Sequence, residues 1–234
     1  MSEHISTVMG DGSVRPTYSR HAWPKNRINA AQADLRVLMM PGTGYNCDRP
    51  LLYYAATALV ENGWYADRLD VNANLSKTPA PQIFAMLSGA VDEWLTQVQH
   101  DAEQAGRAMP RTLVVAKSLS TFIQPHVASI GVPMALLTPV FSPADFDPAH
   151  SVIPVPGDAD FHVGSAPEPL ICAGTADPLY NGDRARRLSG LIHEYADANH
   201  SIEVPGDWQR SMTYLHDVTQ AVVDYARTIA RYTR

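Results

Sequence analysis

Cysteine is nearly absent from this 234-residue chain: only Cys47 and Cys172 occur. One lies in a loop-like stretch and the other inside an apolar run, so no disulfide framework organises the fold, and a cytoplasmic setting is expected. Long hydrophobic runs are missing too. Nothing approaches the ~20 apolar residues of a membrane-spanning helix, so no membrane partner is expected. Met1-Ser2-Glu3-His4 has neither the basic segment nor the apolar core of a secretory leader. Positive charge is modest, with 18 basic against 24 acidic residues and a net charge of -6. Without a basic tract, a nucleic-acid partner is not expected. No His/Cys cluster has zinc-ligand spacing, and no carboxylate loop resembles a calcium site. The Gly-rich stretch near residue 42 has neither phosphate-loop nor dinucleotide-loop spacing. The expectation is therefore no metal and no cofactor.

What remains is ordinary for a globular protein: 45% apolar and 18% charged residues. With no internal repeat and no second core, residues 1–234 read as a single domain. Strand and helix patterns alternate along the chain. Residues 4–9 and 13–20 read as a hairpin around Gly10-Asp11-Gly12. Leu35–Met40 is the first strongly apolar strand. A helix follows, capped by Asp48 with Pro50 in its first turn, and ends at Gly63. Strands are expected at Tyr65–Val71, Thr112–Lys117 and Val132–Val140. A long helix is expected over Pro81–Ala108, ended by Pro110. A closing amphipathic helix spans Trp208–Tyr232, with Met212, Leu215, Val218, Val222, Tyr225 and Ile229 at helical spacing.

The chemistry is concentrated at the ends of three apolar runs. Leu113-Val114-Val115-Ala116-Lys117 leads into Ser118-Leu119-Ser120, followed by a helix-compatible stretch over Thr121–Ala128. A serine at a sharp strand-to-helix turn projects its hydroxyl, and its flanking positions must be small because the two backbones nearly touch. Those positions are Ala116 and Ser120. These five residues alone fit a helix-capping serine equally well. A second run, Pro169–Gly174, ends at Asp177-Pro178. A third, Gly190–Ala196, ends at Asn199-His200. In a parallel sheet the three strand ends share one edge, where ligands bind. The order Ser, Asp, His is that of the α/β-hydrolase triad.

From about Leu35 onward the chain thus resembles the α/β-hydrolase superfamily. More narrowly, it is similar to small bacterial α/β-hydrolase-like proteins with a V-G-K-S-L-G-T elbow, an acid in G-T-x-D-P and a histidine in N-H-S-[LI]-E. The matching stretches are Val115–Thr121, Gly174–Pro178 and Asn199–Glu203, with Ala116 and Ser120 in place of the elbow glycines. The resemblance implies a three-layer α/β fold, with a mostly parallel sheet and helices on both faces. It also implies a serine hydrolase working with Ser118, Asp177 and His200.

In such a site His200 accepts the serine proton, and Asp177 holds the imidazole tautomer. Asp183 is the fallback acid. His193 lies within a strand, and His216 among core-facing positions of the last helix. Lys117 reads as a structural residue rather than a base. The loop Met40–Asn46 would supply one N–H of an oxyanion hole, from Gly44 or Tyr45, and Leu119 the other. Tyr45, Tyr180, Trp208 and Phe141 flank these loops as candidate pocket walls, although core packing explains them nearly as well. Residues 141–168 contain five prolines, which disfavours a long helical lid; an irregular flap or a plain surface connection fits instead. Two functions stay open: a serine hydrolase acting through an acyl-enzyme on a small ester, thioester or amide, and an inactive protein of the same fold that binds a small molecule or partner.

Overall fold

The computed structural model describes residues 16–72, 78–142 and 166–231. A seven-stranded sheet organises them. Its strands are β1 (Thr17–Ala22), β2 (Leu35–Met40), β3 (Tyr65–Asn72), β4 (Arg111–Lys117), β5 (Met134–Leu137), β6 (Leu170–Gly174) and β7 (Ile192–Tyr195). Their spatial order is β1-β3-β2-β4-β5-β6-β7. Only the β1–β3 pair is antiparallel; every other neighbour runs parallel. The connecting helices are α1 (Pro50–Glu61), α2 (Ala80–Gln104), α3 (Gln124–Ser129), α4 (Gly182–Leu188) and α5 (Trp208–Arg231).

The apolar runs are explained by burial on both faces. On β4, Leu113 and Val115 face a core layer with α1 and α5, while Val114 and Ala116 face a second layer with α2 and α3. A strand covered on both sides carries no polar alternation, so β2, β4, β5 and β6 read as continuous apolar segments. One exception is Arg36 of β2, which is 1% exposed. Its guanidinium bonds Asp67 of β3 at 2.8 Å and Asp101 of α2 at 3.1 Å, and the Trp94 indole N–H also reaches Asp67. No helix among the described residues is long and apolar enough to cross a membrane.

Several sequence expectations shift here. Asp48 does not cap α1: Arg49 takes the cap position without a side-chain bond, and Asp48 pairs with Arg68. Pro50 at the first helical position fills that role instead, since its missing N–H needs no acceptor. Residues 17–22 pair with β3; the expected partner strand at residues 4–9 lies outside the described residues, as does most of the expected flap. The stretch after Ser118 begins as a 3-10 helix over Ser118–Ile123, because Pro125 can enter an α-helix only in its first turn. Met212 and His216 lie on the solvent side of α5, where their side chains stay exposed.

The strand order creates the site. From β2 the chain crosses to β3 on one side; from β4 it crosses to β5 on the other. Adjacent strands whose connections diverge leave a crevice beyond their carboxyl ends. The loop 41–49 leaves β2 at that crevice, and Ser118 leaves β4 beside it.

Candidate active site

Ser118 has φ 52°, in the left-handed region, at the turn from β4 into the 3-10 helix. Such a conformation costs of order 1–3 kcal/mol for a residue with a side chain, and persists only where the surroundings enforce it. Three contacts do so. The Thr121 hydroxyl donates to the Ser118 carbonyl at 2.6 Å, and the Ser120 hydroxyl to the Pro41 carbonyl at 2.5 Å. On the third side, a Cβ at Gly42 would lie 2.8 Å from the Ser118 Cβ. Gly42 is therefore glycine because the Ser118 turn occupies its side-chain space. Ala116 and Ser120 are both buried and cause no such clash.

His200, in the loop after β7, places Nε2 2.8 Å from the Ser118 Oγ. Its Nδ1 lies 2.7 Å from Asp177 Oδ2. The Asp177 side chain has no exposed surface, and its other oxygen accepts the Leu179 N–H at 2.9 Å. The His200 turn is shaped by Asn199, whose Oδ1 accepts the N–H groups of Ser201 and Glu203. A Cβ at Gly174 would lie 2.1 Å from the Ala198 carbonyl oxygen, so the close approach of the β6 and β7 ends also requires glycine. The three sequence candidates thus form one continuous hydrogen-bond chain. The rival residues are elsewhere: His193 is exposed on β7, His216 pairs with Asp217, and Asp183 pairs with Arg186 at the surface.

The backbone donors sort differently from the sequence expectation. The Tyr45 N–H is committed to the Gly42 carbonyl at 3.2 Å, and the Gly42 N–H to the Tyr45 carbonyl at 2.9 Å. Tyr45 is therefore not the free donor. In the same tight turn, Thr43 and Gly44 have N–H groups with no acceptor among the described residues. Thr43 lines the Ser118 recess together with Leu119, Phe122, Val140, Leu179 and His200. Leu119 lies in the first turn of the 3-10 helix, where N–H groups have no intrahelical acceptor. The sequence singles out Gly44 and Tyr45 in this loop and not Thr43, whose only signal is its place between two glycines.

Two hollows share Thr43 and Leu119 in their walls, and one of them contains Ser118. The recess around Ser118 and His200 has a volume of about 200 Å³. A wider cleft of about 440 Å³ runs past Thr43 and Leu119 toward Arg49, Asp70 and Leu87. Of the four expected wall aromatics, Tyr45 alone lines either hollow. Phe141 is fully buried against the Tyr180 ring, and the Tyr180 hydroxyl donates to Glu194. Their chain neighbours Val140 and Leu179 face the recess instead. Trp208 is 72% exposed at the start of α5. Both cysteines are free and buried, and burial pushes each thiol up to about 12.

Solved structures align with nearly the whole chain. An α/β serine hydrolase without lid from Xanthomonas campestris shares 14% identity over 90% of this chain and 89% of its own, with a TM-score of 0.58. Est1E from Butyrivibrio proteoclasticus, with bound ferulic acid, shares 12% identity over 96% and 99%, with a TM-score of 0.59. Esterase 2 of Thermogutta terrifontis, phosphoramylated by tabun, shares 12% over 89% of each chain at 0.59. No family model and no curated protein sequence matches. The fold is that of the α/β-hydrolases.

Proposed function

We propose that this α/β-hydrolase-fold chain is a serine hydrolase, with Ser118 as nucleophile, His200 as general base and acid, and Asp177 as the orienting carboxylate. The observation that carries the proposal is the unbroken chain from Ser118 Oγ through His200 to Asp177, at 2.8 and 2.7 Å. Both lengths suit proton transfer and charge-assisted bonding. In attack, the serine oxygen bonds to the substrate carbonyl carbon while its proton passes to His200 Nε2. The carbonyl oxygen becomes an oxyanion, held by the N–H groups of Leu119 and Thr43. Collapse expels the leaving group with the proton from His200. Water then repeats the sequence on the acyl-enzyme.

The most suitable substrate is a small carboxylic ester. Serine and imidazole suffice for an alcohol leaving group, and the recess at Ser118 together with the wider cleft that shares its Thr43 and Leu119 walls offers separate places for the acyl and alcohol parts. Esterase 2 and Est1E, two proteins with the same fold, lend weight to ester chemistry. On this reading residues 1–234 act as one domain on a small molecule, without metal or cofactor.

A fluorophosphonate probe tests the proposal. The full chain should be labelled at Ser118, and Ser118→Ala should abolish both labelling and ester hydrolysis while the thermal unfolding profile stays intact. An unlabelled wild-type chain would point to a non-catalytic binding protein on the same fold.

A further inference from the structure

Lys117 occupies a position where the strand pattern calls for an apolar side chain. It follows Leu113 and Val115 on one face of β4 and is 1% exposed. Among the described residues no carboxylate forms an ion pair with it. Its ammonium instead donates to the Thr138 hydroxyl at 3.1 Å and to the His200 backbone carbonyl at 3.1 Å, and stands 4.4 Å over the centre of the Tyr45 ring. Each contact comes from a different strand end: Tyr45 from the loop after β2, Thr138 from the end of β5, and His200 from the loop after β7. Thr138 has φ 45°, a conformation that a β-branched residue seldom adopts. Strain of this kind at a site contact points to a role for the contact.

We propose that Lys117 is a positioning residue whose protonated ammonium clamps the His200 loop to the end of β4, so that losing its proton loosens His200 and slows the proton relay. The inference rests on the serine-hydrolase reading for its effect on rate, but not for the clamp itself. An ammonium has three N–H donors for three partners: a hydroxyl, a carbonyl and a ring face. A neutral amine has two donors and no charge to hold the ring. The groups facing Lys117 are consistent with this. Burial lowers its affinity for the proton to about 8, with the Asp177 carboxylate acting in the opposite direction. Burial raises the Tyr45 phenol to about 12, with Glu203 adding to the shift and Arg49 opposing it, so it stays neutral through this range. His200 meets Lys117 through its backbone, while its ring faces Ser118 and Asp177. Thr138 does not titrate.

The full chain labelled with 15N-histidine, together with Lys117→Met and Lys117→Arg, provides the test. In the wild type, the His200 ring resonances should shift between about pH 7.5 and 9, and fluorophosphonate labelling should slow roughly tenfold over the same range. Displacing a catalytic group by about 1 Å can cost up to about a hundredfold. Lys117→Met should label slowly at every pH and show no alkaline transition. Lys117→Arg should move the transition to higher pH. His200 resonances that stay fixed from pH 7.5 to 10 in the wild type would overturn the clamp, as would Lys117→Met with wild-type labelling rates and pH profile. The wild-type titration decides even where a variant does not fold. A chain that shows the His200 transition but takes no probe would refute the hydrolase reading and leave the clamp supported.

Discussion

Gly42 shows how narrow the tolerance is at single residues. A methyl group there would sit 2.8 Å from the Ser118 Cβ, with the Lys117 carbonyl oxygen at 3.3 Å. Both neighbours belong to the rigid end of β4 and cannot move aside cheaply. Gly42→Ala should therefore lower stability by about 1–3 kcal/mol, the usual range for overpacking, and slow probe labelling by pushing Ser118 away from His200. A urea midpoint and a labelling rate both equal to wild type would show that the turn has slack. Asp177→Asn should behave differently. It keeps the volume and the Leu179 contact but favours the wrong imidazole tautomer, so it should cut the rate on the order of ten-thousandfold with the fold intact. His193→Ala and His216→Ala, on exposed side chains away from the chain of bonds, should leave the rate unchanged.

Between elements, the Ser118 turn and the loop after β2 are joined by one side chain. The position usually given to glycine is Ser120, whose hydroxyl donates to the Pro41 carbonyl at the end of β2. A serine at this position thus ties the Ser118 turn to the loop carrying Thr43. Ser120→Gly restores the usual residue but leaves a buried carbonyl without this partner, at about 1–3 kcal/mol. It should weaken stability measurably and reduce activity through a looser Thr43 turn. Ser120→Leu should do far worse, since the residue is 1% exposed. Wild-type stability in Ser120→Gly would mean that the tie contributes nothing. A similar tie fastens β2, β3 and α2 through Arg36. Asp67→Ala should cost about 1–3 kcal/mol, because it leaves the Trp94 indole N–H and one edge of the buried Arg36 guanidinium unpaired while Asp101 still holds the other; thermal unfolding measures it.

For the whole molecule, the buried ionisable groups set an alkaline stability profile. The Cys47 and Cys172 thiols, raised by burial, keep their protons in the fold when the unfolded chain has lost them. Their contribution is present below the ordinary thiol range and is lost as pH rises from about 9 toward 12. Lys117 has the opposite sign. Its lowered proton affinity means that the unfolded chain holds the extra proton between about pH 8 and 10.5, so its contribution appears as pH rises through that window. Stability should therefore rise slightly from pH 7.5 to about 8.5, then fall as the two thiols, joined by the tyrosines that burial raises, outweigh one amine. Each group contributes a slope of up to about 1.4 kcal/mol per pH unit. Lys117→Met should remove the rise and leave only the fall, which urea unfolding across pH 7.5–10.5 resolves. A wild-type curve that falls steadily from pH 7.5 would contradict the sign assigned to Lys117.

Sequence alone determined the strand–helix alternation, since a doubly covered strand must be apolar on both faces and a following helix must carry a stripe. It also determined the order Ser118, Asp177, His200 at the ends of apolar runs, and the need for small residues at 116 and 120. Tertiary structure decided which neighbours those residues meet. Tyr45 and Thr43 are two positions apart, yet one N–H closes a turn and the other remains open beside Ser118. Phe141 and Tyr180 flank the site in sequence, but the chain neighbours Val140 and Leu179 face it. Lys117 reads from sequence only as a structural residue beside Ser118; the placement of β4 between β2 and β5 decides its partners, surrounding its ammonium with Tyr45, Thr138 and the His200 carbonyl. The physical reason is common to all three. Periodicity along a chain records which face is covered, whereas the partner across a loop depends on strand order and on close approach of backbones, which no local pattern encodes.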